Sequence, residues 1–132
     1  MTNYKSSTIT VQKSQSQVFD FLSDYNNFGK LMPEQVTGWT STNTECSFTI
    51  QGMASLQMKI IERRASDLIS MESFGKTPIE FKLYVTIESI SPDSCTVLVS
   101  IDADINPMLK MMLDKPLTNL VEKLATKVPQ VV

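Results

Sequence analysis

The order in which hydrophobic periodicities change along this chain restricts its fold more than any single residue does. Tyr4 to Gln12 reads as a strand, with Ile9 and Val11 alternating against Thr8 and Thr10. A helical stretch follows. From Val36 to Asp104 nearly every segment alternates with a period of two. From Asn106 the period becomes helical and stays so to Val128. A strand, two helical pieces, a run of strands and one closing helix make an α+β order. It predicts a curved antiparallel sheet of about seven strands wrapped around the closing helix, with room for a cavity between them.

Local signals fill in the elements. Ser14-x-x-Gln17 is a capping-box pattern, and the helix it opens carries Val18, Leu22 and Tyr25 on one face. Asp24, Asn26 and Asn27 break that helix. Phe28 to Met32 can add a turn before Pro33 stops it. Cys46, Phe48 and Ile50 alternate with Glu45, Ser47, Thr49 and Gln51; after Gly52, the next apolar face is Leu56, Met58 and Ile60. Ile61 to Ser66 reads as a polar turn, Leu68 to Phe74 as a strand, and Gly75-Lys76-Thr77-Pro78 as a loop. Ile79, Phe81, Leu83, Val85 and Ile87 give the cleanest alternation. Ser91-Pro92-Asp93-Ser94 is a turn, and Cys95 to Ala103 the last strand. Asn106-Pro107 suits an N-cap and first helical position. Leu109, Leu113, Leu117, Leu120, Val121, Leu124 and Val128 form the closing stripe. Pro116 is expected to kink or split this helix and Pro129 to end it.

Composition excludes several functions. At 132 residues the chain is read as one domain, 1–132. Its net charge is −2 and it has no basic block beyond Arg63-Arg64, so nucleic-acid binding is not expected. Met1 to Ser16 is polar and suggests no signal peptide, and no apolar run reaches the ~20 residues of a membrane span. A cytoplasmic protein without integral membrane association is expected, with Cys46 and Cys95 reduced. Histidine is absent. Ser-His-Asp and Cys-His triads are therefore impossible, and no metal site or cofactor is expected.

Val18-Phe19-Asp20-Phe21-Leu22-Ser23-Asp24 resembles the opening helix of the START-like, or SRPBCC, superfamily, the helix-grip fold of birch-pollen allergens, lipid-transfer START domains and bacterial polyketide cyclase/dehydratase-like proteins. Leu31-Met32-Pro33 is similar to that family's helix-to-strand exit. The closing helix through Leu120-Val121-Glu122-Lys123-Leu124 is similar too. The resemblance spans essentially the whole chain. It implies a seven-stranded sheet around the last helix and, as a rule, an apolar cavity. No catalytic residue is common to the superfamily, so none is carried over.

Few residues suggest chemistry. Asp102 and Asp104 share one strand face, but Val99, Ile101 and Ala103 take the other, so both aspartates are placed in water. Glu80, Lys82, Tyr84 and Glu88 follow the same logic. Glu72, if inward, needs Arg63 or Arg64 as a partner. Besides Met1, the methionines are Met32, Met53, Met58, Met71, Met108, Met111 and Met112, and such side chains fill irregular apolar gaps or adaptable surfaces. Met108, Met111 and Met112 lie off the leucine stripe. The start of the closing helix is thus apolar nearly all round, and lines a cavity mouth or meets a partner. Trp39 either caps the same opening or packs as core.

The preferred reading is binding or transport of an apolar or amphipathic small molecule, such as a lipid, isoprenoid or polyketide-like compound. Its expected contacts are Phe48, Met58, Met71, Phe81, Leu83, Val99, Leu109, Met112 and Leu113. One alternative is a cyclase or dehydratase using Glu72, Tyr84 or Tyr25. Another is a co-chaperone-like or homodimeric interaction module. Either a monomer or a homodimer is compatible with the chain.

Overall fold

The computed structural model describes residues 2–50, 55–75, 77 and 79–132. Its strands are β1 (Thr2–Lys5), β2 (Ile9–Val11), β3 (Val36–Ser41), β4 (Glu45–Ile50), β5 (Ser55–Arg64), β6 (Leu68–Ser73), β7 (Glu80–Ser91) and β8 (Ser94–Asp104). Helices α1 (Gln15–Leu22) and α2 (Tyr25–Phe28), followed by a 3-10 turn over Gly29–Leu31, separate β2 from β3. Helix α3 (Pro107–Val131) closes the chain. The sheet is antiparallel in the order β1-β8-β7-β6-β5-β4-β3, and β2 also pairs with β8. This is the helix-grip architecture, a curved sheet holding a long C-terminal helix. Gly52 and Met53, which the sequence sets between two strands, lie outside the described residues, as do Gln51, Ala54, Lys76 and Pro78.

Alternation decides which face is buried. Ile79, Phe81, Leu83, Val85 and Ile87 are all buried on the inner face of the sheet, the first three beside α3 and the strand also packing on α1, while Glu80 and Glu88 are exposed. On the opposite face a row of charges crosses five strands in register: Glu45, Lys59, Glu72, Lys82 and Asp102. Each charge has opposite charges as its cross-strand neighbours, an arrangement that favours this register. Glu72 is thus placed outward by parity with Lys59 and Lys82. It does not reach Arg63, which donates instead to the backbone carbonyls of Ser23 (2.9 Å) and Asn43 (3.1 Å) and ties the end of α1 to the β3–β4 turn.

Four sequence expectations change. The first strand is two strands, β1 and β2, because Ser6 interrupts the ladder. Its N–H donates to the Val99 carbonyl (2.8 Å), while its hydroxyl accepts from the Val99 N–H (2.9 Å) and takes the place of a backbone carbonyl. Pairing resumes at Ile9–Val97, one residue out of step with Lys5–Ser100. Strand β5 runs through Ile61 to Arg64, where a turn was expected; the extra residue is absorbed by an irregularity between Ile60 and Glu62. Asp24 does more than end a helix, since its carboxylate accepts from the Asn26 N–H (2.9 Å) and caps α2. Finally, Pro116 does not split α3, and Pro129 does not end it. The missing N–H of Pro116 deprives only the Met112 carbonyl, at a residue 64% exposed, where water can serve it.

Helix α3 packs most closely on β8, β1, β2 and the 3-10 turn. Two of its carboxylates fix it there. Asp114 accepts from the Tyr4 hydroxyl at 2.5 Å, and Glu122 accepts from the Ser7 N–H and hydroxyl at 2.8 and 2.9 Å. Leu113, Leu117, Leu120, Val121, Leu124, Ala125 and Val128 then turn toward the sheet and are buried.

Two predictions follow from this packing. Phe81→Ala removes a side chain that is only 5% exposed, and should cost ~3–5 kcal/mol; chemical denaturation measures it, and wild-type stability would place Phe81 outside the close-packed core. The second concerns pH. The Lys110 ammonium, and then the Tyr4 hydroxyl, hold Asp114 below the ordinary carboxylate range. A depressed carboxylate contributes stability above its unfolded pKa and loses it as pH falls through the folded value. The melting-temperature gap between wild type and Asp114→Asn should therefore be full at neutral pH and shrink below ~pH 3.9. Burial, and then the bond to Asp114, push the Tyr4 phenol up to about 12, so its contribution persists to ~pH 10 and fades above.

Candidate functional site

Among the described residues, the grip borders a wholly apolar void. Its walls are Phe48 and Ile50 of β4, Leu56 of β5, Ile79 just before β7, Phe81 and Leu83 of β7, Ile101 of β8, and Leu117 and Leu120 of α3. These residues meet because the inward parity of four strands and the helix stripe converge at one end of the sheet. The space open to a water-sized sphere is about 10 Å³. That is about what one water needs, far below the ~300–1,000 Å³ of a pocket for a drug-sized ligand. The grip is therefore filled by its own side chains. Larger hollows, of about 310 and 330 Å³, are open grooves beside Thr40, Ser47 and Gln57, and beside Glu72, Thr77 and Lys82.

Of the residues expected to contact a ligand, Phe48, Phe81 and Leu83 border this void. Met58, Met71, Val99 and Leu113 are buried elsewhere in the same core, and Leu109 is half-buried against it. Met112 does not join them; it is 64% exposed, with Met108 at 77% and Met111 at 86%. Sequence reasoning missed Ile50, Leu56, Ile79, Ile101, Leu117 and Leu120. Each shares parity or helical spacing with a residue that was named, so the signal was present. What the pattern lacked was the point along the strands at which the void falls.

An aromatic cluster abuts the void through Phe48. Trp39 stacks on Phe48 (5.5 Å between ring centroids, 25° between planes) and on Phe28 (6.4 Å, 28°). Tyr25 meets Trp39 edge-on at 6.1 Å and Phe28 at 5.9 Å. Gly29 makes room for the indole, because a Cβ there would collide with Trp39 Nε1. The Tyr25 hydroxyl and Trp39 Nε1 are both buried without a hydrogen-bond partner. Two orphaned donors in one cluster are uncommon in a native core.

Neither Tyr25 nor the nearby Cys46 is poised to move a proton. Burial first, then the nearby Cys46, pushes the Tyr25 phenol far above its usual value. Burial likewise pushes the Cys46 thiol up to about 12. Both are neutral at physiological pH, whereas general acid–base catalysis wants a pKa near the working pH. Glu72 and Tyr84, the other catalytic candidates, lie on the outer face of the sheet. Among the described residues no group of three histidine, cysteine or acidic side chains could hold a metal. Gly29→Ala should push the indole out of its seat and destabilise the fold by ~1–3 kcal/mol; a shifted Trp39 emission maximum would accompany the fall in melting temperature.

No family profile matches the sequence, and no curated protein matches it. Solved structures do match. A START superfamily protein from Mycobacterium smegmatis superposes with a TM-score of 0.70 at 16% identity, covering 98% of this chain and 99% of the other. A conserved protein from Geobacillus kaustophilus gives 0.74 at 10% identity, covering 98% and 93%. Norcoclaurine synthase from Thalictrum flavum gives 0.72 at 11% identity, covering 98% and 84%. The chain thus has the START-like helix-grip fold. Among the described residues, no helix is long and apolar enough to cross a membrane.

Proposed function

We propose that the protein binds a small, largely apolar molecule carrying one hydrogen-bond acceptor, in the wedge between α3 and strands β4, β5 and β7. The observation that carries this reading is the apolar void together with two orphaned donors, Tyr25 and Trp39, in the aromatic cluster that joins its lining through Phe48. The ligand would replace side-chain volume around Phe48, Phe81 and Leu117, and its acceptor would meet one of those donors. The anchoring of α3 supports such an opening. Asp114 and Glu122 hold the helix on the β1–β2 side, while across the wedge only apolar side chains meet, with no bond to break. Binding without catalysis is preferred, because the lining carries no polar side chain and Tyr25 stays protonated.

A matched ligand pair tests the idea. Trp39, the sole tryptophan, touches Phe48, so its fluorescence reports events at the void. A medium-chain aliphatic ketone should bind saturably, and more tightly than the alkane of equal length. Tyr25→Phe should abolish that preference, worth ~1 kcal/mol or about fivefold in affinity. The same substitution should leave the free protein as stable or more so, since it removes an unpaired buried hydroxyl. No saturable change with either compound would refute binding at this wedge. A ketone preference that survives in both Tyr25→Phe and Trp39→Phe, the latter read by calorimetry because it lacks the reporter, would refute the assigned donors.

A further inference from the structure

The first turns of α3 carry three exposed methionines that the grip does not use. Met108, Met111 and Met112 occupy positions i, i+3 and i+4, and are 77%, 86% and 64% exposed. At ~100° per residue they span an arc of about 100°, with Met108 in the middle and one turn above the other two. Met108 therefore has its Cβ ~5–6 Å from those of Met111 and Met112, which as adjacent residues flank it on either side. Methionine has three rotatable bonds beyond its backbone, so the three thioether sulfurs can converge on one point above the helix.

The choice of methionine is selective along this helix. Toward the sheet the apolar positions of the same stretch are Leu109, Leu113, Leu117, Leu120 and Leu124. The methionine arc is centred roughly 150° from that stripe. In the first turns of α3 leucine thus serves toward the sheet, at Leu109 and Leu113, with Val121, Ala125 and Val128 joining the buried face only further on, and methionine stands on the exposed side at Met108, Met111 and Met112. If the exposed face needed only hydrophobic area, leucine would supply it at equal helix propensity. What methionine adds is sulfur.

We infer that Met108, Met111 and Met112 form a thioether site for a soft monovalent cation of the copper(I) class. Thioethers are soft ligands that select copper(I) over the hard and borderline divalent ions. The chain offers such a cation little competition, since histidine is absent and both thiols, Cys46 and Cys95, are buried. A thioether stays uncharged and unprotonated at any working pH, so the site needs no deprotonation to bind. Lys110 is drawn aside by its 2.8 Å pair with Asp114. Lys115, one turn further on the same face, can swing its ammonium into water on its flexible stem. The expectation that this chain holds no metal site rested on the absence of histidine and the separation of its two cysteines; a set of three thioethers departs from that expectation.

Silver(I), a redox-inert stand-in, is the probe. Protein labelled at its methionine methyl carbons is titrated with silver nitrate in chloride-free buffer and followed by proton–carbon NMR. The ε-methyl signals of Met108, Met111 and Met112 should shift together and saturate at one equivalent, while those of the buried Met58 and Met71 stay in place. The triple variant Met108→Leu, Met111→Leu, Met112→Leu keeps the apolar face and should keep the melting temperature. Its silver affinity, read by calorimetry, should fall by at least about tenfold. Should that variant misfold, the single Met111→Leu change, at the most exposed position, should still weaken binding and remove one of the coupled methyl shifts. Silver consumed at Cys46 or Cys95 with the three methyls unmoved would overturn the inference. So would equal affinity in a folded leucine variant, which would leave the methionines as apolar surface of the kind that meets another protein.

Discussion

Burial of the α3 stripe in the concave face of the sheet is the interaction on which the rest depends. Helix α1 covers part of the sheet and the 3-10 turn part of α3, but the two surfaces are each other's main cover. The inward side chains of β4 to β8 are apolar, and so is the side of α3 that meets them. Each buried leucine or phenylalanine contributes about 1.5–3 kcal/mol relative to exposure, so removing the helix would strip the sheet of a large part of its core. Strand β8 is central to that arrangement. It pairs with β1, β2 and β7 and lies directly under α3. The irregularity at Ser6 is part of the same design. It lets the first segment change step while still capping Val99, and leaves Tyr4 and Ser7 aimed at α3, where Asp114 and Glu122 take them up.

This anchoring makes the grip asymmetric. On the β1–β2 side, polar contacts are geometrically demanding and fix the distance between helix and sheet. On the β4–β7 side the gap is bridged only by side chains, and close packing brings the residual void down to about 10 Å³. A filled wedge of this kind is compatible with a ligand only if the ligand substitutes for the filling. Such exchange is least costly where the lining is non-directional, and every side chain around the void is of that kind. The orphaned donors of Tyr25 and Trp39 change the balance further, since each unpaired buried group costs free energy that a bound acceptor would recover.

Much of the fold was legible in the sequence, because it rests on relations between near neighbours along the chain. The alternation from Ile79 to Ile87, the capping box at Ser14 and the Asn106-Pro107 helix start are local patterns with local causes. What was left open or misread has a different origin. Glu72 was ambiguous in isolation and is settled by Lys59 and Lys82, which flank it across two strands. Ser6 looked like any other residue of an alternating strand, and only its bonds to Val99 show that pairing changes step there. Pro116 carried a strong local rule that failed because the carbonyl it orphans belongs to an exposed residue. The site was half legible for the same reason. Parity identified Phe48, Phe81 and Leu83 as inward, but the position of the void along the strands depends on register and on where α3 sits.

The methionines show how far hydropathy alone carries such a reading. A periodicity argument treats methionine and leucine as equivalent, and so merges two populations that the structure separates. Met58 and Met71 are fully buried, where a flexible unbranched chain fits between branched neighbours. Met108, Met111 and Met112 stand in water on the back of helical turns whose front is formed by Leu109 and Leu113. Exposed apolar side chains carry no stabilising burial, and their clustering invites nonspecific association. Their grouping within two turns therefore points to the property that separates methionine from leucine: a polarisable sulfur at the end of a mobile arm. The front of α3 is defined by shape and area, and its back by the chemistry of one atom.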